Sequence, residues 1–286
     1  MTFRAARPAP FVSTLAAAVL AAAGAFAEAP PPGRHVKATL VAETDAVAPG
    51  RALVAGIRLQ MDAGWHTYWR NPGDSGLPTR VRWTLPGGFA AGELQWPVPE
   101  RFATGPLVSF GYSGDVLLPV EIRVPAAFTA KEARLAVRVD WLECREACLP
   151  GRSELTLALP VRAAPRPGKD AALFAQARQR LPSALPGWTV EAAADPAQIV
   201  LGVRAATGED VTDAYFYPLE PRVLDHAQAQ KLERAGARHY RLRLVRDPNG
   251  AAVERLGGVL VVETARGRRA LPVDAAVPAP ARASRE

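Results

Sequence analysis

The chain has 286 residues, with 35 Lys and Arg against 28 Asp and Glu, a formal charge of +7. The basic residues are spread through alternating apolar runs and not gathered in blocks, which excludes a nucleic-acid-binding signature, so no nucleic-acid partner is expected. No fixed-period repeat and no Gly-rich phosphate loop occurs, and after residue 27 no stretch reads as a membrane-spanning helix.

The chain opens on Arg4 and Arg7, followed by an apolar run from Phe11 to Phe26 that ends in Ala25-Phe26-Ala27. A basic start, a short Ala-rich core and small residues at its end predict a signal peptide over 1–27, cleaved after Ala27, and therefore export to an oxidising compartment. The rest of the chain is long enough for two domains, each with its own core.

Short alternating runs come next: Lys37 to Glu43, Leu53 to Leu59, Val81 to Leu85, Val116 to Val124, Leu135 to Trp141 and Leu155 to Leu159. Many short strands punctuated by Pro and Gly predict an all-β, immunoglobulin-like antiparallel sandwich over 28–162. Pro119 inside its run suggests an edge or a bend. Ala163-Ala164-Pro165-Arg166-Pro167-Gly168 is a stiff break, and Phe174, Ala177 and Leu181 stand at helical spacing before Pro182, so 163–187 reads as linker and connector helix. A second, smaller β-domain over 188–275 is expected from runs at Trp188 to Glu191, Gln198 to Arg204, Tyr240 to Val245 and Gly258 to Thr264. The Pro/Ala-rich end, 276–286, has too little apolar content to pack and is expected to be disordered.

The chemistry concentrates in the two cysteines, Cys144 and Cys148, within Trp141-Leu142-Glu143-Cys144-Arg145-Glu146-Ala147-Cys148-Leu149-Pro150-Gly151. Closing so short a ring restricts the unfolded chain by only about 2 kcal/mol, so the pair is a weak staple and a plausible redox switch. Its spacing can meet the Cα limit of about 7 Å if the segment turns, and Pro150-Gly151 suggests a turn that exposes the pair. Arg145 would favour a neighbouring thiolate, whereas Glu143 and Glu146 would oppose it. Asp140, Glu143 and Glu146 are the nearby candidates for a proton shuttle. Two other readings stay open: a non-catalytic exported binding or assembly module with a permanent disulfide, and a copper-tolerance protein holding Cu(I) through its thiols. Histidines at 35, 66, 226 and 239 are scattered and Met61 is the one Met after the leader, so no dedicated metal site and no cofactor is expected.

Gly73-Asp74-Ser75-Gly76 is similar to the string around a serine-protease nucleophile, but His66 lies only nine residues upstream and Leu77 stands where a Gly is needed, so a turn is the expected role. In Trp65-His66-Thr67-Tyr68-Trp69, strand alternation would put Trp65, Thr67 and Trp69 on one face and His66 and Tyr68 on the other.

The segment Trp141 to Gly151, with Gly64 to Thr79 (GWHTYWRNPGDSGLPT) and Tyr215-Phe216-Tyr217-Pro218-Leu219-Glu220, resembles the periplasmic N-terminal region of DsbD-like thiol:disulfide interchange proteins, especially the ScsB-like branch. The resemblance implies a periplasmic location and a cysteine pair, Cys144 and Cys148, that takes electrons from a membrane-embedded DsbD/ScsB-type donor and passes them to periplasmic thioredoxin-like oxidoreductases. It also implies that Cys148 meets the partners and that Phe110 and Tyr112, in Phe110-Gly111-Tyr112-Ser113-Gly114, belong to a cap loop over the pair. This sequence carries neither the membrane-embedded carrier nor the thioredoxin-like domain of full-length relatives, so the expected donor is a separate polypeptide.

Overall fold

The computed structural model describes residues 1, 35–194, 197–251 and 253–278. The expected export signal and the chain beyond 278 lie outside these residues.

Ten strands precede the helix: β1 (Val36–Ala42), β2 (Leu53–Met61), β3 (His66–Gly73), β4 (Arg80–Thr84), β5 (Ala90–Leu94), β6 (Glu100–Thr104), β7 (Leu107–Ser113), β8 (Asp115–Arg123), β9 (Glu132–Cys144) and β10 (Cys148–Pro160). They form two antiparallel sheets, β1-β2-β8-β5 and β10-β9-β3-β7-β6, with β4 added on β9. Alternation explains why the sheets face each other. Leu53, Ala55, Ile57 and Leu59 of β2 and Val116, Leu118, Val120 and Ile122 of β8 point inward from the first sheet. Ala133, Leu135, Val137, Val139 and Trp141 of β9 meet them from the second, making one buried cluster between two layers.

Helix α1 (Ala171–Arg180) turns its two buried residues, Phe174 and Ala177, onto Val41 and Leu117 on the outer face of the first sheet. That cover lets β8 be apolar on both faces. Pro119 lies in this interior strand, opposite Gly56 on β2, and not at the edge that its ring suggests; pairing with β5 on the other side shifts register between Ala91 and Leu94.

Beyond the helix come β11 (Thr189–Ala194), β12 (Gln198–Arg204), β13 (Val211–Pro218), β14 (Lys231–Arg234), β15 (His239–Val245), β16 (Arg255–Thr264) and β17 (Gly267–Ala276). They make the sheets β11-β12-β15-β14 and β13-β16-β17, which enclose a second core around Ile199, Leu201, Phe216, Leu242, Leu244, Leu260 and Val262.

The two cores touch along one seam. Tyr217, Val259 and Val261 of the second half join the first cluster, with Tyr217 edge-on to both Trp69 and Phe110 at centroid distances of 6.1 and 5.1 Å. The buried Asn71 amide donates to the carbonyls of Pro218 (2.8 Å) and Glu220 (3.2 Å), fixing the end of β3 to the end of β13. The strand that borders the cysteine pair is therefore also the strand that anchors the second half.

Candidate functional site: a disulfide at the tip of a hairpin

Strands β9 and β10 are each 13 residues long and pair without interruption from Glu132 and Pro160 up to Cys144 opposite Cys148. The register puts the two cysteines at the head of the hairpin as direct cross-strand partners, with Cα atoms 4.2 Å apart and a disulfide between them. The reversal is made by Arg145, Glu146 and Ala147. Pro150 and Gly151, expected to form the turn, instead lie in β10 opposite Leu142 and Trp141. Gly151 is needed there because a Cβ would fall 2.3 Å from the Trp141 ring, which lies across it.

The two sulfurs live in different surroundings. Cys144 is only 3 % exposed, whereas Cys148 is exposed at the tip. Beneath them, β3 pairs with β9 through His66 opposite Cys144, which brings the His66 and Tyr68 face of β3 against the pair. The Tyr68 hydroxyl donates to Cys144 Sγ at 2.9 Å and lies 3.4 Å from Cys148 Sγ. Burial raises the Tyr68 pKa, with a hydrogen bond to Ser75 pulling the other way, so the phenol keeps its proton and remains a donor. His66 stacks flat on Phe102 at 4.3 Å and stands edge-on to Tyr68 at 5.3 Å; its burial lowers its pKa, favouring the neutral imidazole.

The Gly73-Asp74-Ser75-Gly76 string shapes this site from below. Gly76 has φ +100°, and a Cβ there would sit 2.2 Å from the Tyr68 ring. Ser75 Oγ pairs with Ser109 Oγ at 2.9 Å, and Asp74 accepts from Val108 N at 2.8 Å, so the turn is tied to β7 and holds the phenol in place.

The expected cap and shuttle residues are placed differently. Phe110 and Tyr112 are 0 % and 1 % exposed on β7, with Tyr112 paired to Thr67 and its hydroxyl donating to Pro97 O at 2.7 Å. Alternation explains this: Phe110 and Tyr112 share the core face with Trp69, and Gly111 between them lies opposite Tyr68. They are core aromatics of a strand and not a loop over the sulfurs. Asp140 is about 13 Å along β9 from Cys144 at strand rise. Burial would raise its pKa, but hydrogen bonds from Arg138 and Arg152 outweigh that and hold it below the usual carboxylate range. Glu143, adjoining Cys144, is fully buried, and its two oxygens accept from His35 N (3.1 Å) and Trp141 Nε1 (3.0 Å). Glu146 is exposed in the reversal. Of the expected residues, the structure brings Cys144 and Cys148 together, with Glu143 and Glu146 beside them only in sequence. In the sequence Tyr68 stands out only as one of an aromatic group, and its alternation with Trp69 is the signal that could have singled it out.

Among the described residues no cluster of three or more His, Cys, Asp or Glu could hold a metal ion, and no helix is long and apolar enough to cross a membrane.

Residues 37–160 match the family described as thiol:disulfide interchange protein DsbD, N-terminal. Over this segment the chain is similar to DsbD N-terminal domains. The segment spans β1 to β10, so the disulfide hairpin closes its last two strands. The chain is also similar to the N-terminal periplasmic domain of ScsB from Proteus mirabilis, at TM-score 0.62 and 18 % identity over 85 % of this chain and 94 % of that one. That likeness extends past the DsbD-like segment into the second half, and at this identity it speaks to the fold. The Escherichia coli chaperone DraB matches at TM-score 0.23 and 12 % identity, covering 85 % of this chain and 98 % of its own. A chimeric titin Z1Z2 matches at 0.20 and 13 %, covering 86 % and 98 %. Scores this low carry no structural argument. No curated protein matches the chain.

Proposed function

We propose that this protein is a periplasmic thiol:disulfide exchange module whose Cys144/Cys148 pair passes two electrons from a membrane-embedded DsbD/ScsB-type donor to periplasmic thioredoxin-like oxidoreductases. The observation that carries the reading is the asymmetry of the pair within a segment similar to DsbD N-terminal domains: an exposed Cys148 bonded to a buried Cys144 at the free end of a rigid hairpin. Exchange proceeds by in-line attack of a thiolate on one sulfur, and access decides which sulfur is struck. Cys148 is the partner-facing residue, and Cys144 is the resolving one. The dithiol itself holds the electron pair, so the exchange asks for no cofactor.

The test is trapping. In a Cys144→Ser chain, Cys148 should accumulate a mixed disulfide with a thioredoxin-like protein in periplasmic extract. The Cys148→Ser chain should trap far less, because its remaining thiol is covered. Equal trapping by both variants, or by neither, would contradict the assignment.

A further inference from the structure

The geometry points to Tyr68 as a catalytic residue of the exchange: its hydroxyl donates a hydrogen bond to Cys144 Sγ as that sulfur leaves carrying the electron pair. This inference rests on the exchange reading above and adds a residue that neither cysteine spacing nor the family match assigns.

The problem that Tyr68 answers is physical. When an incoming thiolate attacks exposed Cys148 Sγ, a new S–S bond forms to Cys148, the Cys144–Cys148 bond breaks, and its electron pair stays on Cys144 Sγ as a thiolate. That anion is generated on a sulfur 3 % exposed, next in sequence to the buried carboxyl group of Glu143. Burial and the loss of hydrogen bonds from solvent both disfavour such a charge. A donor already aimed at the sulfur offsets them without reorganisation, because hydrogen bonds to ionised acceptors are about twice as strong as those between neutral groups. The Tyr68 hydroxyl is 2.9 Å from Cys144 Sγ in the oxidised state, before any charge develops, and 3.4 Å from Cys148 Sγ. No proton moves in this step; the phenol donates and keeps its hydrogen. The second thiolate of a dithiol reductant then attacks its own mixed disulfide and releases Cys148, so the reductant leaves oxidised and this chain is left as the dithiol.

The phenol ring has a close-fitting seat. Its ring packs on Gly76, where a Cβ would fall 2.2 Å away, and lies opposite Gly111, where a Cβ would fall 1.9 Å from Thr67 O. Gly76 thus admits the ring at a place from which its hydroxyl reaches both sulfurs, while Gly111 lets β7 approach the β3 backbone at Thr67.

The test uses the purified protein and reads Cys144 directly. In a Cys148→Ser background, thiolate absorbance against pH gives the Cys144 pKa, and adding Tyr68→Phe should raise it by about one unit, tenfold less thiolate at a fixed pH below it. In the chain with both cysteines, Tyr68→Phe should slow reduction by dithiothreitol about threefold, as expected for a poorer leaving group. If the Phe variant does not fold, 3-fluorotyrosine placed at position 68 decides the matter: a more acidic phenol should shift both readouts the opposite way. A Cys144 pKa and an exchange rate that ignore both replacements would overturn the role of Tyr68. A wild-type disulfide that resists glutathione altogether would sink the exchange reading instead, while the thiolate titration still judges the hydrogen bond.

Discussion

Cys148 stands exposed at the hairpin tip, while Cys144 lies under it with the Tyr68 hydroxyl 2.9 Å away, so a single bond joins two sulfurs of unequal reactivity. After reduction, a thiol reagent in limiting amount should modify Cys148 well ahead of Cys144, readable by peptide mass after digestion; comparable labelling would mean that the hairpin tip opens freely. Gly76 belongs to the same account. Its φ of +100° and the 2.2 Å approach of the Tyr68 ring mean that Gly76→Ala must strain the backbone and displace the phenol together. The expected cost is about 2 kcal/mol or more in urea unfolding, accompanied by slower exchange. A neutral Gly76→Ala would show that the ring has room to move.

At the scale of elements, the hairpin β9–β10 is stabilised more by its inward face than by its disulfide. Leu135 is fully buried between the sheets, so Leu135→Ala should cost about 2–5 kcal/mol. Replacing both cysteines by serine should cost only about 2 kcal/mol, since the ring they close is short. Denaturant unfolding of the two variants checks the order, and a larger loss from the cysteines would favour a structural bond. The strands most legible in the sequence are those with clean alternation: Gln198 to Arg204 is observed with the bounds read from the sequence, and Leu135 to Trp141 lies inside the longer β9. Others are hidden for physical reasons. β7 carries Gly111, which reads as part of a flexible cap because glycine usually signals freedom; here it permits close approach to Thr67. β10 extends through Pro150 and Gly151, which read as a turn, because its outer edge needs no N–H from Pro150 and Trp141 fills the space over Gly151. The cysteine pair is legible because no other thiol exists. The contact of Tyr68 with it is not, since 76 residues separate Tyr68 from Cys144 and only the β3–β9 pairing brings them together.

Over the whole molecule, β3 links the sulfurs to the seam between the halves, with Tyr68 on one side and Asn71 bound to Pro218 and Glu220 on the other. Asn71→Ala leaves the buried Pro218 carbonyl without its donor and should cost about 1–3 kcal/mol, with faster proteolysis at the seam as the independent check. His226 lies at the same seam, buried, edge-on to Phe110 at 4.8 Å, with neither ring nitrogen hydrogen-bonded. Burial lowers its pKa below the ordinary 6.5, against the opposing pull of Asp74, Asp225 and Asp247. The unfolded chain therefore binds its proton first as pH falls, so stability declines from about pH 6.5 downward until the folded-state value is reached. His66, also lowered by burial, adds a loss of the same sign. Unfolding of wild type and His226→Gln between about pH 7 and pH 5 should show a shallower acid loss in the variant; identical slopes would remove His226 from the account. The central claim is that the Cys144–Cys148 bond is made to be broken, and its reduction potential tests that most directly. Equilibration of the purified protein in glutathione and dithiothreitol buffers, read by thiol alkylation, should give a value between roughly −180 and −270 mV, reached rapidly. A value well below about −300 mV, reached slowly, would mark a permanent structural bond and contradict the exchange function.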